Sequence, residues 1–110
     1  MIYAFHITQA AEKELNGAVD YIEHVLLNPQ AADDLLSEAE IKLSALTGFP
    51  EKYALVDDPV LNAWGIRLVP VKNYLAFYIV SEQDQTVYFL RFLYSKRNWV
   101  SILKKGFSLD

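Results

Sequence analysis

The 110-residue sequence predicts a single α+β domain spanning residues 1–110, in the order β-α-α-β-β-β(-α): an N-terminal helical hairpin packed on a small antiparallel meander. Three observations predict it. Apolar residues recur at helical spacing from Ala11 to Leu26 and again from Ala32 to Leu46, with Asn28-Pro29 between them. Three strand-length apolar runs follow at about Trp64–Val71, Tyr74–Ser81 and Thr86–Tyr94. Lys72-Asn73 joins the first pair and Glu82-Gln83-Asp84-Gln85 the second, and connections that short require antiparallel neighbours.

Each element has a local reason. Ile2 to Ile7 alternates Tyr3, Phe5 and Ile7, as a strand does. Thr8 can cap a helix whose inward stripe is Ala11, Leu15, Ala18 or Val19, Ile22 and Val25 or Leu26, with Glu12, Lys13, Asp20 and Glu23 opposite. Asn28 is a good cap and Pro29 fits a first helical position, so the pair closes one helix and opens the next. The second stripe, Ala32, Leu35 or Leu36, Ala39, Leu43 and Leu46, ends at Gly48 and Pro50. Both stripes need a sheet to cover them. Phe49 to Ala63 reads as a long connection with Pro50, Pro59 and Asp57-Asp58, a length that is often functional or mobile.

Alternation sorts the strands. Arg67, Val69 and Val71 share one face, with Ile66 and Leu68 on the other; in the last strand Val87, Phe89, Arg91 and Leu93 oppose Tyr88, Leu90, Phe92 and Tyr94. The middle strand is apolar on both faces, as expected when both are covered. A short terminal helix beginning near Lys96 carries Trp99, Ile102 and Leu103 on one side and docks through Trp99.

Composition excludes several classes of chemistry. A chain of this size buries a core without staples. It has no cysteine, hence no disulfide, thiol nucleophile or thiolate metal site. Met1 to Phe5 lacks the charged start of a leader, and the longest apolar runs are strand-length, so a cytoplasmic location without membrane contact is expected. Charge is unevenly divided. Residues 1–60 hold three lysines against eleven acids, a net of −8; residues 61–110 hold seven cations against three acids, a net of +4. An acidic helical half thus joins a basic sheet half, and a basic face attracts phosphates or an acidic protein tail.

Arg67, Arg91, Lys96 and Arg97 are the candidate site. Two of them lie within strands, where a cation is unfavourable unless its head reaches water or a partner. On a common face, Arg67 and Arg91 would line an anion-attracting surface rimmed by the Lys96-Arg97 turn. The competing reading pairs both with loop acids such as Asp57 and Asp58. Other residues offer less. His6 and His24 have no carboxylate at a spacing that suggests a metal set or a triad, so no metal or cofactor is expected. Ser95 lacks a base nearby in sequence. Tyr74, Tyr78, Tyr88 and Tyr94 suit either base stacking or core packing, and four scattered glycines form no phosphate loop.

The segments IRLVPVKNYLAFYIV and TVYFLRFLYSKRNW resemble the C-terminal half of the RelE/ParE toxin superfamily, the small toxins of type II toxin–antitoxin pairs that include plasmid-stabilisation proteins. They look like its arginine strand, its tyrosine-led middle strand and its last strand running into a basic turn; the order of elements is similar along the whole chain. The resemblance implies a compact α+β toxin, inhibitory to growth and silenced by a cognate antitoxin. The antitoxin's acidic C-terminal segment wraps the toxin, with a heterotetramer among the expected assemblies. It implies one of two activities: ribosome-dependent cleavage of messenger RNA (an mRNA interferase) or inhibition of DNA gyrase. For cleavage, Arg67 matches the basic strand position and Lys96 and Arg97 the basic turn, giving Arg67, Lys96 and Arg97 as catalytic candidates, with Glu51 and Lys52 in the loop as further ones. Two departures stand against it: Leu75 follows the middle-strand tyrosine where RelE-like toxins place an arginine, and the terminal helix offers Trp99, Val100, Ile102 and Leu103 in place of a tyrosine or histidine. The chain reads nearer the ParE-like branch, a non-enzymatic binder of a protein target, with Arg67, Arg91, Lys96, Arg97 and Trp99 as the target- or antitoxin-binding set. The alternatives are an endoribonuclease and a decayed toxin that only binds antitoxin.

Overall fold

A computed structural model describes residues 2–110 of the chain. Strand β1 (Ala4–Ile7) leads into helix α1 (Gln9–Asp20), α1 widens into a π turn at Tyr21–Val25, and helix α2 (Pro29–Ser44) returns antiparallel before a 3₁₀ turn at Ala45–Thr47. Helix α3 (Pro59–Ala63) precedes the meander β2 (Arg67–Val71), β3 (Tyr74–Ser81) and β4 (Thr86–Tyr94), and helix α4 (Trp99–Lys104) closes the fold. The sheet order is β1-β4-β3-β2. β1 runs parallel to β4, so the sheet is mixed although the meander is antiparallel.

Two cores sandwich this sheet. The hairpin buries Ala11, Leu15, Leu35, Ala39, Leu43 and Leu46 against Val69, Val71, Ala76, Tyr78, Phe89 and Phe92. On the other face α3 and α4 bring Leu61 and Leu103 onto Ile66, Phe77, Leu90 and Leu93. The connection 49–63, read as a loop, contains α3. Asp58 caps it by accepting from the Val60 and Leu61 N–H groups at 3.1 Å each, Pro59 takes the first position, and Gly65 (φ 81) turns the chain into β2. At the other meander corner, Lys72 takes a left-handed conformation (φ 54), as a two-residue hairpin turn needs.

Two corrections to the strand and helix patterns have the same origin, a local change of period. In β4, Tyr78 pairs with Phe89 and Phe77 with Arg91, so Leu90 is an extra residue in a β-bulge. The bulge shifts the alternation: Phe92 joins Val87 and Phe89 in the hairpin core, while Leu93 joins Tyr88 and Leu90 on the other side. In α1, the π turn rotates Val25 and Leu26 out of the predicted stripe, leaving them 62% and 55% exposed.

The bulge is held by α1. The buried Thr8 hydroxyl donates to the Phe89 and Leu90 carbonyls (2.8 and 3.0 Å) and accepts from the Ala11 N–H. The Glu14 carboxylate accepts from the Phe92 N–H at 3.0 Å. One residue therefore caps the helix and fastens it to the sheet.

The sheet has two unlike edges. Along β2 the outward groups on either side of Leu68 are occupied: the Ile66 carbonyl accepts from the Val56 N–H, Pro70 has no N–H, its carbonyl accepts from Lys42 Nζ at 2.7 Å, and the Lys72 N–H donates to Glu38. Along β1 the Ala4 and Thr8 N–H groups point at β4, where they donate to the Gln85 and Phe89 carbonyls, and by parity those of Phe5 and Ile7 point away from the sheet. Beside that edge lies an apolar groove of about 340 Å³ walled by Phe5, Ile7, Ala39, Leu43 and Phe89.

Replacing Thr8 by Val keeps the shape but removes the cap and the hydroxyl donor of the Leu90 carbonyl, while the Phe89 carbonyl keeps the main-chain N–H of position 8. The expected loss is about 1–3 kcal/mol in urea unfolding, and a loss below about 0.5 kcal/mol would show that Thr8 does not fasten the bulge.

Candidate functional site

The five candidate residues occupy four separate settings. Arg67 opens β2. Its Nη1 donates to the Tyr53 carbonyl at 2.6 Å, and its backbone bridges to Leu55. Its cross-strand neighbour Tyr78, fully buried, donates its hydroxyl to the Pro50 carbonyl at 2.8 Å. Burial raises the Tyr78 phenol above its ordinary range, outweighing the lowering effects of a hydrogen bond from the Tyr53 main chain and of the Arg67 charge. Together Arg67 and Tyr78 pin the segment from Pro50 to Val56 onto the sheet.

Arg91 sits on β4 beside the bulge. Its Nε and Nη2 donate to the two Glu14 oxygens at 2.9 and 2.7 Å, a bidentate pair whose side chains are 22% and 20% exposed. The Glu14 hydrogen bonds outweigh desolvation and hold the guanidinium even more firmly protonated than usual. Neither arginine pairs with Asp57 or Asp58: the partners are a main-chain carbonyl and a helix carboxylate.

Lys96 and Arg97 lie exposed in the turn after β4 and take part in no ion pair among the described residues. The turn is anchored where the Ser95 N–H donates to the Asn73 carbonyl, beside the β2–β3 corner. Arg67 is at the far end of β2, four residues or roughly 13 Å away along the strand. The expected concavity of strand arginines with a basic rim is therefore not assembled: the two arginines are engaged internally and the rim lies at the other end. Trp99 begins α4 and packs its ring on Phe77 with centroids 5.1 Å apart, so it seats the helix on the second core.

Of the residues set aside, Asp58 both caps α3 and meets Lys104 Nζ at 3.1 Å, tying α3 to α4. The Leu61 N–H is the main cause holding its carboxyl below the usual range, with Lys104 and the Val60 N–H adding to it against desolvation. His6 packs edge-on against Tyr88 at 5.6 Å, and His24 is exposed beside Glu23. The open β1 edge and its groove went unread in the sequence. The signal was there in Ile2, Phe5 and Phe49, apolar residues that the hairpin does not cover.

A family model described as the ParE toxin of the type II toxin–antitoxin system parDE matches residues 5–99. Among solved structures, the chain is similar to the chromosomal ParDE toxin–antitoxin system from P. aeruginosa, with a TM-score of 0.68 and 17% identity over 86% of this chain and 98% of that one. It is also similar to the toxin–antitoxin complex RelBE2 from Mycobacterium tuberculosis, with a TM-score of 0.59 and 17% identity over 86% of this chain and 99% of the other. No curated protein matches the sequence. At such identities the two structures share the fold with this chain.

Arg91→Ala should cost about 2–3 kcal/mol in urea unfolding, because Glu14 is left partly buried without its cation, whereas Lys96→Ala and Arg97→Ala should stay within about 0.5 kcal/mol. Asp58 gives a pH test. Its lowered pKa contributes stability that is present above the unfolded value near about pH 4 and is lost as pH falls through the folded value. The melting-temperature difference between wild type and Asp58→Asn should accordingly shrink between pH 6 and pH 3; a constant difference would mean the carboxylate charge contributes nothing.

Proposed function

We propose, from the premise that this chain belongs to the ParE toxin family of type II toxin–antitoxin systems, that it arrests growth by binding a protein target, DNA gyrase, and performs no chemistry itself. One observation carries this reading: Glu14 neutralises Arg91, and Arg67 is bound to the Tyr53 carbonyl. A nuclease of this kind needs several cations converging on one reacting phosphate, where charge develops in the transition state. Here two of the four are employed inside the fold and the other two sit in the turn beyond the Tyr94 end of β4, away from Arg67. Leu75, in the position where an arginine would help, packs against the second core. A binding toxin needs only a surface.

The antitoxin's seat in this reading is the open β1 edge with its groove. An extended segment of the antitoxin adds a strand beside Phe5 and Ile7 and drops apolar side chains onto Ala39 and Leu43. The β2 edge, interrupted by Pro70 and with the outward groups of Ile66, Pro70 and Lys72 taken by Val56 and α2, is a poorer template. A gyrase-directed toxin works in the cytoplasm, and no helix among the described residues is long and apolar enough to cross a membrane.

Purified toxin is expected to inhibit gyrase supercoiling at near-stoichiometric amounts, while cells induced without antitoxin stop growing with intact transcripts. Unimpaired supercoiling together with new 5′ ends inside translated codons would overturn this reading in favour of an endoribonuclease, and would direct mutagenesis to Arg67, Lys96 and Arg97. For the antitoxin seat, Phe5→Glu should weaken antitoxin affinity by roughly tenfold or more by placing a charge in an apolar contact, with growth arrest retained; unchanged affinity would place the antitoxin elsewhere.

A further inference from the structure

The end of the molecule where the hairpin turns back carries side chains that contribute little to the fold. The π turn closes with the Leu26 N–H on the Tyr21 carbonyl and the Asn28 N–H on the Ile22 carbonyl, both at 3.0 Å. Leu27, at the position where helices commonly end in glycine, adopts φ 53 and is 78% exposed. A bulky side chain in left-handed backbone is strained. This leucine is therefore strained and wet at once, and the monomer gains nothing from it. Beside it Tyr21 is 50% exposed.

The aromatic surface continues toward the basic turn. Tyr74 stacks on Phe92 with centroids 5.0 Å apart and meets Tyr94 edge-on at 5.6 Å. Burial raises the Tyr74 phenol, and the nearby Tyr94 and Tyr21 add to that. Tyr94 is itself 39% exposed, and its carbonyl accepts from the Arg97 N–H at 3.0 Å. Lys96 and Arg97 thus sit next to these rings with their charges unpaired among the described residues. Lys42, Lys72, Arg91 and Lys104, by contrast, all have carboxylate partners. A cleft of about 260 Å³ between the π turn, α2 and the Lys72-Asn73 corner opens on the same end.

We propose that this end, running from Leu27 through Tyr21 and Tyr94 to Arg97, is the surface that grips the toxin's protein target. The target presents a folded face that is apolar at its centre and acidic where it meets Lys96 and Arg97. Exposed tyrosines beside an arginine are the composition of an interface hot spot. Nucleic acid fits less well, because Glu23, Asp33 and Asp34 lie on the hairpin side of the patch and repel phosphate. The tip and the β1 groove lie at opposite ends of α2, about 20 Å apart. Target and antitoxin therefore use different residues.

The proposal rests on the reading of the chain as a binder of a protein target, and Leu27→Gly tests it without weakening the fold. Relief of the left-handed strain should leave the melting temperature unchanged or a few degrees higher. The concentration giving half-maximal inhibition of gyrase supercoiling should rise roughly tenfold, with antitoxin affinity within about threefold of wild type. Arg97→Glu should do the same through charge reversal. Inhibition and growth arrest unchanged in both variants would overturn the proposal. So would a joint loss of antitoxin affinity and inhibition, which would make the tip part of the antitoxin seat. If wild type arrests growth without inhibiting gyrase, gyrase is the wrong target, and growth arrest by the two variants then decides the tip: arrest kept overturns it, arrest lost supports it. Should Arg97→Glu instead abolish binding of a fluorescent single-stranded RNA while leaving growth arrest intact, the basic turn is a nucleic-acid contact and the proposal falls.

Discussion

One carboxylate sets the geometry on which much of the molecule depends. Glu14, a single turn and a half into α1, accepts three hydrogen bonds, two from the Arg91 guanidinium and one from the Phe92 N–H. With Thr8 it holds β4 in a bulge, and the bulge decides which way every later side chain of that strand points. Because of it, Phe92 enters the core under the hairpin, Leu93 enters the core under α4, and the chain leaves the sheet where Trp99 can land on Phe77. A carboxylate this deep is favourable only with its charge matched and its lone pairs occupied. Arg91 supplies the first condition and the Phe92 N–H completes the second.

What the sequence made legible follows from periodicity. The two helical stripes and the three hairpin-linked strands are local patterns, and they appear where spacing put them, from Ala11 to Leu46 and from Arg67 to Tyr94. The parallel pairing of β1 with β4 joins residues about eighty positions apart, such as Phe5 and Val87, and no local pattern reports that. The two dephasings were also invisible. An extra residue at Leu90 and a wider turn at Tyr21–Val25 are choices of backbone hydrogen bonding that leave the apolar content of the sequence unchanged. Asp58-Pro59 is different: cap and first position were both present, and the short helix they open could have been read.

The candidate site divides in the same way. Cations within strands need partners, but here the partners are remote in sequence. Arg91 finds Glu14, 77 residues away, and Arg67 finds the Tyr53 carbonyl, which has no side-chain signature. The pattern that read as a site is, for these two residues, the means by which the sheet is tied to α1 and to the 50–56 segment. The exposed tip was missed for the opposite reason. Val25 and Leu26 fit the buried stripe if the helix keeps its 3.6-residue period, and that helix does not.

The unlike edges of the sheet limit how copies of this protein can meet. With Val56, Glu38 and Lys42 on the β2 side and Pro70 within it, strand pairing between molecules is favoured at β1. A molecule with one sticky side can join one other and no more, so such pairing closes on itself as a two-fold dimer and cannot propagate into a fibre. Among the described residues the valency of the sheet for such pairing is one, and a bound peptide strand that occupies β1 also covers the edge most open to growth of an aggregate.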